Sequence, residues 1–178
     1  MRYIRIPMER VGVLIGQNGE TRKKIEERTK VKLDINSELG EVTFDDQHIE
    51  NPLNIFKIEN IIRAIGRGFS PENAMILMGN EMDLFIFDIH DYVGKRPSHV
   101  KRLKSRVIGS DGKTKRVLEE LTESKISVYG HTIAIIGNIL VIDITKKAID
   151  KILSGSKHAT VYRYVETNMK NLRMEHGF

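Results

Sequence analysis

The chain has 178 residues, a 40% hydrophobic fraction, a formal net charge of +5 and no cysteine. That length fits one domain or two small ones, and the absence of cysteine excludes disulfides and thiol catalysis and fits a reducing cytoplasm. No run of 18 apolar residues occurs, so no membrane span is expected, and the charged, alternating start "MRYIRIPMER" is unlike a secretory leader.

From the N-terminus, "MRYIRIP" alternates Tyr3, Ile4 and Ile6 with arginines and reads as a strand that Pro7 ends. "MERVGVLI" is a short helix carrying Met8, Val11, Leu14 and Ile15, and "ETRKKIEERT" is a second helix supported by a Glu20–Lys24 pair at i,i+4. "VKLDIN" and "EVTF" form a hairpin. "PLNIFKIENIIRAIGRG" is an amphipathic helix with Ile55, Ile58, Ile61, Ile62 and Ile65 at helical spacing, ended by Gly66 and Gly68. The order then recurs. "ENAMILMG" is a short helix opened by Ser70-Pro71, and "DLFIFDI" is a strand. "SHVKRLKSRVI" and "KTKRVLEELTE" are helices, and "KISVYG" and "TIAIIG" make a hairpin. "NILVIDITKKAIDKILSG" closes the second set, and "HATVYRYVETNMKNLR" is one further helix with Val161, Val165 and Leu172 on one side.

The recurrence is visible residue by residue. "LIGQNGETRKKIEERTKVKLDI", starting at Leu14, falls on "VIGSDGKTKRVLEELTESKISV", starting at Val107, at an offset of 93 with no gap. Ile15/Ile108, Gly16/Gly109, Gly19/Gly112, Thr21/Thr114, Glu26/Glu119, Glu27/Glu120, Thr29/Thr122 and Lys32/Lys125 are identical pairs. One module therefore occurs twice. The second copy contains Gly112-Lys113-Thr114, the end of a P-loop pattern. That pattern needs a glycine five positions earlier, where Val107 stands, and it needs a strand directly before it, so nucleotide binding fails on spacing.

What both copies share is Gly-x-x-Gly between two helices. Glycine lets the backbone turn sharply and lets another chain approach without meeting a Cβ. The following helix aims its N–H groups and partial positive charge at the loop. Gln17, Asn18 and Ser110 are polar and able to donate to phosphate oxygens. Val11, Leu14 and Ile15 on one side and the strand Leu33 to Ile35 on the other are expected to wall a groove for unpaired bases. Charge is unevenly divided. Residues 1–66 are neutral, with eleven basic and eleven acidic residues, and residues 67–178 carry 18 and 13. Nine basic residues lie in 95–116, against the single acid Asp111. Beside a repeated glycine loop, this cluster reads as a footprint for phosphates. His48 follows Asp45 and Asp46, but no second ligand pair has recognisable spacing, so a solvated turn is expected there and no metal or cofactor. No carboxylate cluster of the kind that holds Mg²⁺ in nucleases recurs in the two modules, and an enzyme is not expected.

The element order and the "IGxxGxT…EExT" signature resemble the KH domain, and the resemblance covers nearly the whole chain. "GQNGETRKKIEERTKVKLDINSELGEVTF", "VYGHTIAIIGN" and "GSKHATVYRYVE" look like the archaeal two-KH family related to the eukaryotic partner of the Nob nuclease. The resemblance implies an α+β fold of two tandem KH domains, at 1–67 and 68–155, with a C-terminal helix at 156–178 packed on the pair. It implies a cytoplasmic RNA-binding protein that binds single-stranded rRNA near the 3′ end of small-subunit rRNA during assembly and pre-rRNA processing. Its implied partners are that RNA and a ribosome-assembly nuclease or a translation or assembly factor. The candidate RNA-contacting residues are Gly16, Gln17, Asn18, Gly19, Arg22 and Lys23 in the first module. In the second they are Arg102, Arg106, Gly109, Ser110, Asp111, Gly112, Lys113, Lys115 and Arg116. Arg22 and Lys115 stand where KH domains usually have an apolar residue, Arg28 replaces the apolar residue found at Leu121, and neither loop has a lysine or arginine between its glycines. Phosphate attraction is thus expected from the flanks. Two other readings fit the residues: a protein-interaction scaffold, suited to the neutral first module, and a general single-stranded nucleic-acid or mRNA binder.

Overall fold

The computed structural model describes residues 1–177. The chain divides into two compact units, Met1–Asn80 and a second from Glu81 onward. The first runs β1 (Arg2–Arg5), α1 (Met8–Ile15), the glycine loop, α2 (Glu20–Thr29), β2 (Leu33–Asn36), β3 (Glu41–Phe44), α3 (Pro52–Gly66) and α4 (Pro71–Ala74). The second runs β4 (Met82–Asp88), α5 (His90–Val93), α6 (Pro97–Ile108), the second glycine loop, α7 (Lys113–Thr122), β5 (Lys125–Tyr129), β6 (Thr132–Asn138), α8 (Ile142–Leu153) and α9 (His158–His176). Both units are α+β, and each holds one antiparallel three-stranded sheet, ordered β1-β3-β2 and β4-β6-β5.

The division differs from the expected 67/68 boundary. Ser70 caps α4 through the Asn73 N–H, and Ala74 and Leu77 are buried. Lys57 on α3 reaches the Met78 carbonyl at 3.0 Å and Asn80 Oδ1 at 2.9 Å. This segment packs on α3 and completes the first unit instead of opening the second. At the other end, α9 belongs to the second unit, packing on α7 and α8. Val161, Val165 and Met169 sink into the core with Leu103, Val107, Leu118, Ile135 and Ile149, while Leu172 is only partly buried. Each fully buried aliphatic side chain of this kind stabilises by about 1.5–3 kcal/mol. The four-residue α5 falls in a stretch expected to have no element.

Both closing helices end in the same way. Past α3, Gly68 N–H bonds Ile65 O and Phe69 N–H bonds Ala64 O; past α8, Gly155 N–H bonds Ile152 O and Ser156 N–H bonds Lys151 O. These are paired left-handed glycine caps, with Gly68 at φ 98° and Gly155 at φ 100°. Gly66 is the last residue of α3, as expected, and Gly68 makes the left-handed turn beyond it. At Gly66 a Cβ would stand 2.7 Å from Ile6 Cγ2, so the glycine also admits the exit of β1 against the helix end.

Candidate nucleic-acid interface

The two loops have one conformation. Gly16 and Gly109 both lie at φ 75°, with ψ 171° and 175°. Gly19 and Gly112 are left-handed at φ 75° and 73°. A Cβ on Gly16 would meet Thr21 Oγ1 at 2.3 Å, and one on Gly109 would meet Thr114 Oγ1 at the same distance. The first glycine is therefore demanded by space as well as by φ, and the threonine in each "GxT" is the atom it packs against. The second glycine has nothing within 4 Å of a built Cβ, so only its φ demands it. Between them, Asn18 at φ 53° and Asp111 at φ 52° are left-handed too. Asn and Asp tolerate that region best among residues with a Cβ, which accounts for an acid inside a loop otherwise suited to anions.

Other identical pairs hold the helix after the loop to the hairpin. Glu26 Oε1 accepts the Leu33 N–H, and Glu119 Oε1 accepts the Ile126 N–H, each at 2.8 Å. Thr29 and Thr122 are buried and donate to the carbonyls of Ile25 and Leu118. The cationic residues after the loops serve this scaffold: Arg22 pairs with Glu26 at 3.1 Å and Lys115 with Glu119 at 3.5 Å. These contacts give a reason for cations at positions that KH domains usually fill with apolar residues. Their stems lie along the helix while their heads neutralise a carboxylate committed to the strand.

Arg106 is likewise turned inward. Its guanidinium donates to the carbonyls of Ile152 and Ser156 in the cap of α8, and its own carbonyl meets His158 Nε2 at 2.8 Å. In the first unit Arg10 donates to the equivalent carbonyls, Ile65 at 2.7 Å and Phe69 at 2.8 Å. At the 93-residue offset Arg106 corresponds to Val13, so the two clamps come from adjacent turns of equivalent helices. Of the expected contact residues, Gln17, Asn18, Lys23, Arg102, Ser110, Asp111, Lys113 and Arg116 are exposed, and the four loop glycines, Arg22, Arg106 and Lys115 are half-buried. The expected walls are corrected. Val11, Leu14 and Leu33 are core, which leaves Ile15 and Ile35 in the first unit and Ile108 and Val128 in the second as the half-buried apolar residues of those segments.

The helix starts facing the loops differ in charge. Glu20 opens α2 and pairs with Lys24 at 2.8 Å; the ammonium holds the Glu20 carboxyl below its ordinary range. Lys113 opens α7. By unit, residues 1–80 carry twelve basic and twelve acidic residues, and residues 81–178 carry 17 and 12. The second loop is also braced from behind, since Tyr162 of α9 donates to Thr114 Oγ1 at 3.2 Å, and Thr114 is the residue under Gly109.

Sequence reasoning did not find a further cluster. Asp88, His90 and His131 bring their ligand atoms within 4.8 Å of one another at the joined ends of β4 and the β5–β6 turn. Partial burial pushes the Asp88 carboxyl up, but the His90 N–H and the His131 ring together hold it below its ordinary value. His48 and Asp45 meet at 3.0 Å on an exposed turn, while Asp46 takes the N-terminal ammonium and Arg2.

Known proteins of the same kind are recognisable. Residues 83–170 match a family model described as the eukaryotic type KH-domain (KH-domain type I), that of the second KH domain of PNO1, and residues 1–51 match the KH domain. The chain is 41% identical over 173 residues to the KH domain-containing protein MJ0443 of Methanocaldococcus jannaschii, covering 97% of this chain and 76% of that protein. It is 26% identical over 148 residues to the pre-rRNA-processing protein PNO1 of Eremothecium gossypii, covering 82% of this chain and 55% of that one, so it spans little more than half of this fungal relative. Among solved structures, Dim2p of Pyrococcus horikoshii is 44% identical with a TM-score of 0.86 over 93% of this chain and 98% of that one. A complex of a/eIF2alpha, aDim2p and rRNA from the same organism matches at 44% identity and a TM-score of 0.88, over 96% and 94% of the two chains. With two copies of one glycine loop on two KH folds and relatives this similar along nearly its whole length, the chain belongs to the two-KH-domain family of Dim2p and PNO1.

Proposed function

We propose that the chain is a non-catalytic, cytoplasmic RNA-binding protein that holds unpaired small-subunit rRNA near its 3′ end during subunit assembly and pre-rRNA processing. The observation that carries this reading is the second loop. There a glycine-flanked turn and an α7 N-terminus opened by Lys113 are flanked in the chain by the exposed cations Arg102 on α6 and Arg116 on α7. A phosphodiester backbone laid along the loop meets backbone N–H groups and a helix N-terminus, with Lys113 and Arg116 neutralising successive phosphates. Ile108 and Val128 offer apolar surface to the bases. A groove of this kind takes about four unpaired nucleotides and excludes a duplex. Arg22, Lys115 and Arg106 act on this reading as positioning residues for the loops and not as phosphate contacts. The a/eIF2alpha–aDim2p–rRNA complex supports rRNA as the ligand class and a translation factor as a partner. The pre-rRNA-processing name of the fungal relatives supports the stage of action. On this reading the chain presents the RNA end to a nuclease or later factor and hydrolyses nothing itself.

A second reading applies to the first unit, whose charge is balanced and whose α3 exposes Leu53 and Phe56; that unit acts mainly as a protein-binding scaffold. The test is titration of a labelled single-stranded oligonucleotide matching the rRNA 3′ end, repeated after annealing its complement. Tight binding of the single strand and loss on annealing is the expected result. Equal affinity for the duplex would mean that the basic stretch from Lys95 to Arg116 acts as a general polyanion surface.

A further inference from the structure

Asp88 is the last residue of β4, and His90 follows it across one buried residue, Ile89. His131 lies 43 residues on, in the tight turn between β5 and β6. Backbone bonding fixes the two pieces. Asp88 pairs in register with Thr132, the Ile89 N–H donates to the His131 carbonyl at 2.8 Å, and Asp88 Oδ1 accepts the His90 N–H at 2.9 Å. Both imidazoles then turn the same nitrogen to one carboxylate: His131 Nδ1 stands 2.9 Å and His90 Nδ1 3.4 Å from Asp88 Oδ1. The rings lie side by side with centroids 4.2 Å apart and planes 12° from parallel.

We propose that Asp88, His90 and His131 bind one divalent transition-metal ion of the zinc class through both Nδ1 atoms and a carboxylate oxygen. A metal with bonds of about 2.0–2.1 Å to nitrogen and oxygen in tetrahedral geometry separates its ligand atoms by about 3.3 Å. The observed Nδ1–Oδ1 separations of 2.9 and 3.4 Å lie close to that edge, and binding turns the two rings out of their near-parallel stack so that both in-plane Nδ1 lone pairs meet on the ion. Two imidazoles and one carboxylate select zinc, cobalt, nickel or copper over magnesium and calcium, which prefer all-oxygen shells. Three protein ligands leave a fourth position to solvent, as in sites that exchange a ligand and unlike closed structural sites. Lys95, Lys101 and Lys104 border the same cleft as His90, and their charge sets the affinity below that of a four-ligand structural site. A single carboxylate also distinguishes this site from the paired acids of a two-metal nuclease.

The test uses the full chain, stripped with chelator and titrated with Co²⁺ followed by its visible ligand-field absorption, with Zn²⁺ as competitor. The expected result is one saturable equivalent of Co²⁺, displaced by Zn²⁺. Affinity should fall at least about tenfold in His131→Gln and in Asp88→Asn, since even an outer-shell loss costs that much, and it should be unchanged in His48→Gln. His131 is 45% exposed at its side chain, so its replacement leaves the core intact; His90→Gln is the second variant should either of the others fold poorly. Zn²⁺ should raise the melting temperature of the wild-type chain and not that of His131→Gln. No saturable binding, or binding that survives in all three ligand variants, overturns the proposal.

Discussion

Glu20 and Lys113 occupy the same place, the first residue of the helix after a glycine loop, and carry opposite charges. The backbone around them is the same to within a few degrees, with Gly16 and Gly109 both over a threonine and Asn18 and Asp111 both left-handed. The stretch from Arg2 to Lys23 holds five basic and two acidic residues; the corresponding 95–116 holds nine and one. The comparison separates two kinds of repeated residue. The identical glycine, threonine and Glu26/Glu119 pairs build the loop and tie its helix to the hairpin, whereas the residues that differ set the charge around it. A shared motif is therefore evidence of shared shape, and on the proposed function the ligand preference of each loop lies in the positions that differ.

The largest effect tests the shared scaffold. Replacing Gly16 or Gly109 with Ala puts a Cβ 2.3 Å from a threonine oxygen in a left-handed backbone, and should cost about 3 kcal/mol in either unit. Gly112→Ala meets no atom within 4 Å and should cost about 1 kcal/mol, the left-handed penalty alone. Urea unfolding of the three variants checks this. Equal losses for Gly109→Ala and Gly112→Ala would show that the threonine contact is not what requires the first glycine.

The second effect separates clamp from contact. Arg10→Ala and Arg106→Ala each remove two charged hydrogen bonds to cap carbonyls, and each should cost about 2 kcal/mol of stability. Arg106→Ala should leave the salt dependence of RNA binding unchanged, because its guanidinium is held by backbone. A flattened salt slope for that variant would return Arg106 to the phosphate-binding set.

The glycine loops, the paired Glu and Thr positions and nearly every element were legible because a repeat tests each residue against its copy. The clamps escaped that test, since Arg10 and Arg106 reach equivalent carbonyls from different turns and do not align. Apolar spacing marks a core face and a groove wall alike, so Leu14 and Leu33 read as groove wall in the sequence and only burial distinguishes the two. Analogy of order puts the segment around Ala74 and Leu77 with the second module, although its packing partner is α3 behind it. The Asp88, His90 and His131 cluster joins positions 43 residues apart through a sheet register that sequence spacing does not encode.

A smaller effect separates the loops as ligand sites. Ser110→Asp places a carboxylate at the second loop and should weaken single-stranded RNA binding by on the order of 1 kcal/mol, several-fold in Kd. Gln17→Asp, in a unit with balanced charge and Glu20 already at the helix start, should weaken it less. Titration of both variants at one salt concentration decides the matter, and equal losses would assign RNA to both loops.

The smallest effect is a slope, and it tests the position where the copies most plainly disagree. Each phosphate neutralised on a single strand contributes about 0.7 to the dependence of log K on log salt. If Lys113 meets a phosphate at the α7 start, Lys113→Gln should flatten the slope by about 0.7, measured by titration at several salt concentrations. Glu20→Lys, which gives the first loop the second loop's residue, removes the Lys24 pair and aims a cation at the first loop. A slope steepened by about 0.7 would mean that the first unit already lies along the RNA and was held back by one carboxylate. An unchanged slope would mean that no phosphate passes there, leaving the first unit its scaffold role. An unchanged slope for Lys113→Gln would instead make the basic face of α6 and α7 a solvated surface and remove the main electrostatic argument for the second loop.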